Sequence, residues 1–265
     1  IDDVIFFAEP MFQDGIIAQA ADTVNGWNIP YYSSAGNNAR DSYEDDFRGV
    51  ATSVGGISGV WHDFDGGEGQ AFLQDFQISP AGGLAQTTLS FQWDEPFFSV
   101  SGTPGSASDV DAVFFDPDGN VLLDCFADSD PVAFPGTGGF PPVCQFGSTD
   151  NQGGDPVDLP SVVSFVGPVT VKLGFLVSSG PTPTRVKYVP CDRSGGFDIV
   201  TFDTASGTSF GHSNAAGAES VGAAFWLYTE EFSAPNTVFS GGDCIPACLN
   251  NFSSAGGVPI LIDTD

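Results

Sequence analysis

Two hydrophobic patterns occur along this chain, and they predict two kinds of structure. Near the N-terminus, apolar residues recur at helical spacing over 16–24, between two runs of strand-forming residues at 2–7 and 29–35. Asp14 is the expected N-cap of this helix, and Gly26 lies near its end. A strand, a helix and a strand in such close succession predict a βαβ unit, whose two strands are parallel and adjacent in one sheet.

The middle of the chain follows a period of two residues instead. Val169–Val177 alternates apolar with other residues, and 88–93 does the same. From about Trp61 to Asp203, short runs rich in Val, Phe and Thr are separated by clusters of Gly, Pro, Asp and Ser. This pattern predicts an all-β sandwich.

The polar segment after the second N-terminal strand is the first candidate for chemistry. Ser33-Ser-Ala-Gly-Asn37 ends that run, and functional groups in open parallel sheets collect at the carboxyl ends of strands. An asparagine amide there can donate to a developing oxyanion. The segment and the helix before it resemble the subtilisin-like serine peptidases (subtilases), in which a strand ending in Ala-Ala-Gly-Asn supplies the oxyanion-hole asparagine. The resemblance implies that Asn37 is that residue and that Ser34, Ala35 and Gly36 line the substrate pocket; the alternative is that Asn37 is only a turn residue.

A second stretch, near the C-terminus, resembles the same family. Ser209–Phe225 is similar to the subtilase segment that contains a Ser-Val-Ile-Ala-Val-Gly-Ala strand, Phe252–Gly257 to its Phe-Ser-Ser-x-Gly turn, and Val258–Asp263 to the strand beyond. The resemblance therefore implies an α/β fold: a partial subtilisin-like parallel sheet with a large inserted all-β domain, a β-sandwich. The predicted domains are the partial sheet, 1–40 with 206–265, and the inserted sandwich, 41–205.

The catalytic triad of that family is missing from the 265 residues, which contain no Asp-Thr/Ser-Gly, His-Gly-Thr or Gly-Thr-Ser-x-Ala-x-Pro segment. A serine attacks only when a histidine removes its proton. Gly207-Thr-Ser209 resembles the start of the nucleophile motif, and His212 follows closely, but no Ala-x-Pro comes after it. We therefore expect Ser209 not to be a nucleophile, His212 to be a loop residue and His62 to be a structural or surface histidine.

The resemblance implies a fragment of a secreted subtilisin-like serine endopeptidase, which carries the oxyanion asparagine and is inactive alone. Its partners would be the remainder of the parent polypeptide and a protein or peptide substrate. The alternative is a non-catalytic extracellular protein, structural, adhesive or self-assembling, on a subtilase-like scaffold. Phe7–Pro10 favours it, since a proline without an amide donor stands where the family has a Ser-Leu-Gly substrate-binding edge. A third alternative is a carbohydrate-binding sandwich that exposes Trp61, Trp93 and Phe97.

Composition limits the partners and the compartment. The chain has 34 acidic residues against 6 Lys and Arg, a formal net charge of −28. Nucleic acid and anionic membranes are therefore poor partners, and no apolar run is long enough for membrane insertion. Such a balance is typical of proteins from salty surroundings, or of an acidic extracellular protein.

The chain has 5 cysteines, which also favour an extracellular protein. Cys125 and Cys144 flank a Pro/Gly-rich stretch and are expected to pair, Cys244 and Cys248 can close a small loop, and Cys191 is left over. Disulfides form in oxidising compartments, so we expect the protein to be secreted or on the cell surface.

Acidic residues around one predicted turn are candidate ligands for Ca²⁺. The turn Asp116-Pro-Asp-Gly-Asn120 joins two predicted strands, and the stretch resembles the hairpin of pre-peptidase C-terminal β-sandwich domains of secreted bacterial peptidases. Because calcium prefers oxygen ligands, Asp109, Asp111, Asp116 and Asp118 are the predicted metal residues. The alternative is that these are solvated turn acids.

Overall fold

The structure of the chain is a computed structural model. It describes residues 1–263 with the exception of 5, 68, 81–82, 126–141, 148, 195 and 225–248, and of 192–194 it describes only the backbone. The elements in chain order are α1 (Ile16–Gly26), β1 (Tyr31–Ser34), β2 (Tyr43–Asp46), β3 (Gly49–Val54), β4 (Ile57–His62), β5 (Gln74–Ser79), β6 (Ala85–Trp93), α2 (Phe98–Ser101), β7 (Asp109–Phe115), β8 (Val143–Phe146), β9 (Val157–Asp158), β10 (Ser161–Ser164), β11 (Val169–Ser179), β12 (Arg185–Ser194), β13 (Gly196–Ile199), a 3₁₀ helix (Gly211–Asn214) and β14 (Ala218–Val221).

Two antiparallel sheets make up most of these elements. The first has the order β2-β12-β6-β10-β8, with β9 also paired to β6, and the second has the order β13-β5-β11-β4-β3, with β7 also paired to β11. The two strands with the clearest alternation in the sequence, β6 and β11, each have partners on both sides. The chain is thus mostly β-sheet, which confirms the large all-β part of the predicted fold.

The main core lies between the two sheets and is built largely from aromatic side chains. Phe175 of β11 stacks on Phe91 of β6 with 4.5 Å between ring centroids, so the central strands of the two sheets meet face to face. Trp61, Trp93 and Phe97 are all buried. They are packing residues and not an exposed platform, which overturns the carbohydrate-binding alternative that rested on their exposure.

A small parallel unit joins the two ends of the chain. β1 and β14 pair in parallel, from Tyr31 opposite Ala218 to Ser34 opposite Val221, so two stretches almost 190 residues apart along the chain lie side by side. This confirms their predicted adjacency. One face of α1 covers the unit, through the cluster Ala18, Ala21, Ala215, Tyr31 and Ala218.

Two expectations for the N-terminal region need correction. The N-cap of α1 is Gly15, without a side-chain hydrogen bond, and not Asp14. The strand expected over 2–7 is reduced, among the described residues, to one parallel bridge between Asp2 and Ser33. The resemblance of this unit to subtilases and the predicted domain limits stay predictions.

The segment after Asp2 leaves the parallel unit because the outer face of β6 binds it. The Phe7 carbonyl accepts a hydrogen bond from Ser90 Oγ, and Gln92 of β6 bonds to the Glu9 carbonyl and the Met11 N–H, both at 2.8 Å. A second apolar cluster forms where this segment meets the sandwich: Met11, Phe12, Val189, Phe210 and Val258. In the described ranges, no helix is long and apolar enough to cross a membrane.

Candidate functional site

A cavity of about 560 Å³ opens at the carboxyl ends of β1 and β14. Three of the four residues predicted for a substrate site line it: Ser34, Gly36 and Asn37. The fourth, Ala35, is buried, and its N–H donates to the Val221 carbonyl at 3.0 Å, which extends the parallel pairing by one residue. The remaining lining residues are Ile1, Asp2, Tyr32, Ser33, Val221, Gly222 and Ala223.

A tight turn presents Asn37 at the edge of this cavity. Gly36 has a φ of 97°, a conformation that favours glycine. The turn is held by Ser254, whose N–H donates to the Gly36 carbonyl at 2.9 Å and whose Oγ accepts from the Asn38 N–H at 3.0 Å. The structure therefore brings the Phe252–Gly257 segment beside the turn. Asn37 is exposed to solvent at this edge.

A hydrogen-bonded group of polar side chains lies beside the cavity and joins distant parts of the chain. Asp2 accepts hydrogen bonds from Ser33 Oγ at 2.8 Å and from the Tyr31 hydroxyl. His212 Nε2 lies 3.4 Å from Asp2 Oδ1, and His212 Nδ1 lies 2.8 Å from both carboxylate oxygens of Glu9. His212 is thus clamped between two carboxylates.

The electrostatics of this group favour a charged histidine. The hydrogen bond to Glu9 raises the pKa of His212, and the charges of Glu9 and Asp2 add to this against the effect of burial. Burial favours a higher pKa for Asp2, but hydrogen bonds from Tyr31 and Ser33 and the charge of His212 outweigh it and lower the pKa. Burial, together with the Asp2 hydrogen bond, raises the pKa of Tyr31 to about 12. An imidazolium that donates to two carboxylates has no lone pair for general-base work.

His212 and Ser209 are both buried, and their side chains contact other polar side chains of the fold. His212 is buried within the 3₁₀ helix and is not the loop residue that the sequence predicts. The buried Ser209 hydroxyl lies 3.1 Å from Ser213 Oγ and 3.2 Å from Ser220 Oγ. The expectation that Ser209 is not a nucleophile stays a prediction.

The four predicted metal ligands lie at opposite ends of β7. Asp109 and Asp111 stand at its start, and Asp116 and Asp118 follow its end, roughly 20 Å away at the rise of an extended strand. The carboxylate of Asp116 accepts from the N–H groups of Asp118 and Asn120 and from Asn120 Nδ2, all at 2.9 Å. These bonds, led by the Asn120 side chain, lower the pKa of Asp116. The four residues therefore do not surround one point, and the described part of the chain contains no cluster of three or more His, Cys, Asp or Glu arranged to hold a metal.

The cysteines divide between described and undescribed parts of the chain. Cys125 and Cys144 form a disulfide with a Cα–Cα distance of 5.3 Å, the pair that the sequence suggests. The Cys191 thiol lies 3.4 Å from the Thr88 carbonyl oxygen. The expected pair Cys244 and Cys248 lies outside the described residues.

Comparison with protein-family models, with curated proteins and with solved structures finds no match to this chain. The site is thus known from its own geometry. Sequence reasoning missed Asp2 and Glu9, because their partner His212 is about 200 residues away and no local pattern links them.

Proposed function

We propose that this chain contributes the oxyanion-hole part of a secreted subtilisin-like serine endopeptidase and has no peptidase activity alone. In this proposal the Asn37 amide donates to the oxyanion that forms at the scissile carbonyl, and Ser34 and Gly36 border the residue before the cut. A serine nucleophile and its histidine base would come from outside these 265 residues.

One observation carries the proposal: Asn37 stands at the rim of a cavity at the carboxyl end of a parallel strand. This is the edge at which open parallel sheets bind ligands. Asn37 is an exposed residue at this rim. The surroundings of His212 support inactivity, because carboxylates of Glu9 and Asp2 lie against its two ring nitrogens.

The first test of the proposal is the replacement of Asn37 by Ala in the peptidase that contains this chain. We expect kcat to fall by about 10²–10³-fold with KM nearly unchanged, the loss known for removal of the oxyanion asparagine in subtilisin. Gln77→Ala, which removes an exposed amide from β5, is the matched control and leaves kcat unchanged. An equal kcat for Asn37→Ala and the control would reduce Asn37 to a turn residue.

The coding region around the chain gives a second, independent test. The proposal expects a His-Gly-Thr segment before residue 1 and a Gly-Thr-Ser-x-Ala-x-Pro segment after residue 265. Substituted triad positions would support a non-catalytic scaffold instead. Hydrolysis of a peptide by the isolated chain, blocked by a serine-directed inhibitor, would contradict its proposed inactivity.

A second candidate function is an extracellular structural or self-assembling protein on the same scaffold. Large apolar side chains are exposed around the parallel unit, and exposed apolar patches are frequent at protein interfaces. They are Ile1, Val4, Phe6, Trp27, Ile29, Tyr32 and Val221. Sedimentation velocity over a wide concentration range separates the candidates: reversible oligomers favour self-assembly, and a monomer throughout removes its support.

A further inference from the structure

Two buried oxygen atoms in the sandwich stand out by their lack of partners. Oδ2 of Asp158 and Oδ1 of Asn151 have no hydrogen-bond partner in the structure, although these residues are only 2% and 6% exposed. A carboxylate and an amide oxygen are both acceptors. Since buried acceptors are nearly always satisfied, each of these oxygens is expected to bind a hydrogen-bond donor, such as water, or a cation.

The two side chains belong to one small region at the junction of the sheets. The Asn151 amide nitrogen donates to the carbonyl of Val157, the residue before Asp158, at 2.9 Å. The Asn151 backbone N–H lies 3.3 Å from Asp109 Oδ1, and Oδ1 of Asp158 accepts from Thr149 Oγ1 at 2.8 Å. Asp109 belongs to β7 of the second sheet and Asp158 to β9 of the first. The loop that carries Asn151 thus connects the two acids.

The region is strongly negative. The carboxylates of Asp158, Asp109 and Asp111 lie close enough for their negative charges to act on one another. The charge of Asp150 acts on Asp109 as well. A bound cation offsets such mutual repulsion among carboxylates.

We infer that Asp158, Asn151 and Asp109 bind a Ca²⁺ ion that ties the two sheets of the sandwich together. All the available ligand atoms are oxygens, which calcium prefers and zinc does not require. Calcium takes six to eight oxygens in flexible geometry, so water and backbone carbonyls complete its shell. One of the three ligands is an amide, so this site needs no cluster of three acids. It retains Asp109 of the sequence-predicted metal residues and replaces the turn acids Asp116 and Asp118.

The test is calcium binding by the whole chain after dialysis against a chelator. Isothermal titration calorimetry at about pH 8, where proton competition for Asp158 is weak, should show saturable binding with a Kd of roughly 10⁻⁴–10⁻³ M, the range of extracellular calcium modules. The Tm should rise with CaCl₂ beyond its value at the same ionic strength of NaCl. The NaCl comparison is essential because any salt screens a chain with a net charge of −28.

The variant Asp158→Asn separates a cation from a shared proton. It keeps an acceptor for Thr149 and removes the buried charge, so we expect calcium affinity to fall by more than about tenfold, with a Tm at least equal to the wild type in chelator. Asp198→Asn removes an exposed charge from β13 and should bind calcium as the wild type does. If Asp158→Asn does not fold, Asp109→Asn serves in its place with the same expected loss.

Three results would overturn the inference. The first is wild-type protein that binds no calcium in the calorimeter. The second is a Tm shift that NaCl or MgCl₂ reproduces in full. The third is unchanged affinity in both Asp158→Asn and Asp109→Asn.

Discussion

His62 shows how burial sets the chemistry of a single residue in this protein. Its ring is fully buried, with Nε2 2.8 Å from the Tyr43 hydroxyl and Nδ1 accepting from the Arg48 N–H at 3.2 Å. Burial lowers its pKa to about 4, the charge of Arg48 adds to this, and Asp45 and Asp63 oppose it. Of the two alternatives for His62, the structural one is confirmed and the surface one is wrong.

The lowered pKa predicts a loss of stability in acid. In the unfolded chain His62 binds a proton below about pH 6.5, whereas in the folded chain it does so only below about pH 4. The free energy of unfolding is therefore unaffected by the protonation of His62 above pH 6.5 and decreases as the pH falls below it. The decrease is about 3 kcal/mol by pH 4. Urea denaturation of wild type and His62→Gln at pH 7 and 4 measures it: the wild type should lose about 3 kcal/mol more than the variant. Equal losses would show that His62 titrates normally.

At the scale of elements, β6 explains why the sequence predicted some strands well and others badly. Leu89, Phe91 and Trp93 face the core, as the alternation predicts. Ser90 and Gln92, on the other face, are buried as well, because they bind the backbone of the N-terminal segment. That contact shortens the predicted N-terminal strand. The alternation of β6 is a local pattern and could be predicted from the sequence. The burial of its polar face could not, because it depends on a segment about 80 residues away along the chain.

The candidate site likewise has one part that the sequence predicts and another that it does not. The position of Asn37 at the end of β1 follows from a local strand and turn pattern. The Asp2–His212–Glu9 group and the hydrogen bond from Asn151 to the Val157 carbonyl, next to Asp158, arise from contacts that the fold creates. From the sequence alone, an acidic residue in a loop is predicted to be exposed to solvent, because no local pattern indicates that it is buried.

The face-to-face packing of β11 on β6 predicts the cost of a cavity at its centre. Phe175 is fully buried, and Phe175→Ala removes its stacking on Phe91. We expect the free energy of unfolding to fall by about 3–5 kcal/mol. Thr170→Ala on the same strand, where the side chain is only half-buried, should cost well under half as much. Chemical denaturation of both variants measures the difference, and equal costs would contradict a core centred on these two strands.

At the scale of the whole molecule, the few basic residues are concentrated where they hold strands together. Lys187 of β12 is fully buried and lies 3.1 Å from Glu44 of β2, and Arg185 lies 3.0 Å from Glu44 and 2.9 Å from Asp46. Burial lowers the pKa of Lys187 to about 8, the charge of Arg185 contributes to this, and Glu44 opposes it. Ion pairs thus accompany the antiparallel backbone pairing of β2 with β12, while the excess acidic residues elsewhere repel one another.

Salt acts weakly on these ion pairs and strongly on the repulsion among the acids, and this difference gives the last prediction. Exposed ion pairs contribute little to stability, so screening them by salt costs little. The ion pair of Lys187 is screened less because Lys187 is buried. Repulsion within a net charge of −28 acts over long distances, and the screening length falls from about 30 Å at 0.01 M to 3 Å at 1 M salt. We therefore expect the Tm in chelator to rise by about 5 °C between these concentrations of NaCl. Scanning calorimetry measures the shift, and a Tm that falls with NaCl would mean that the β2–β12 ion pairs outweigh the repulsion of the whole surface.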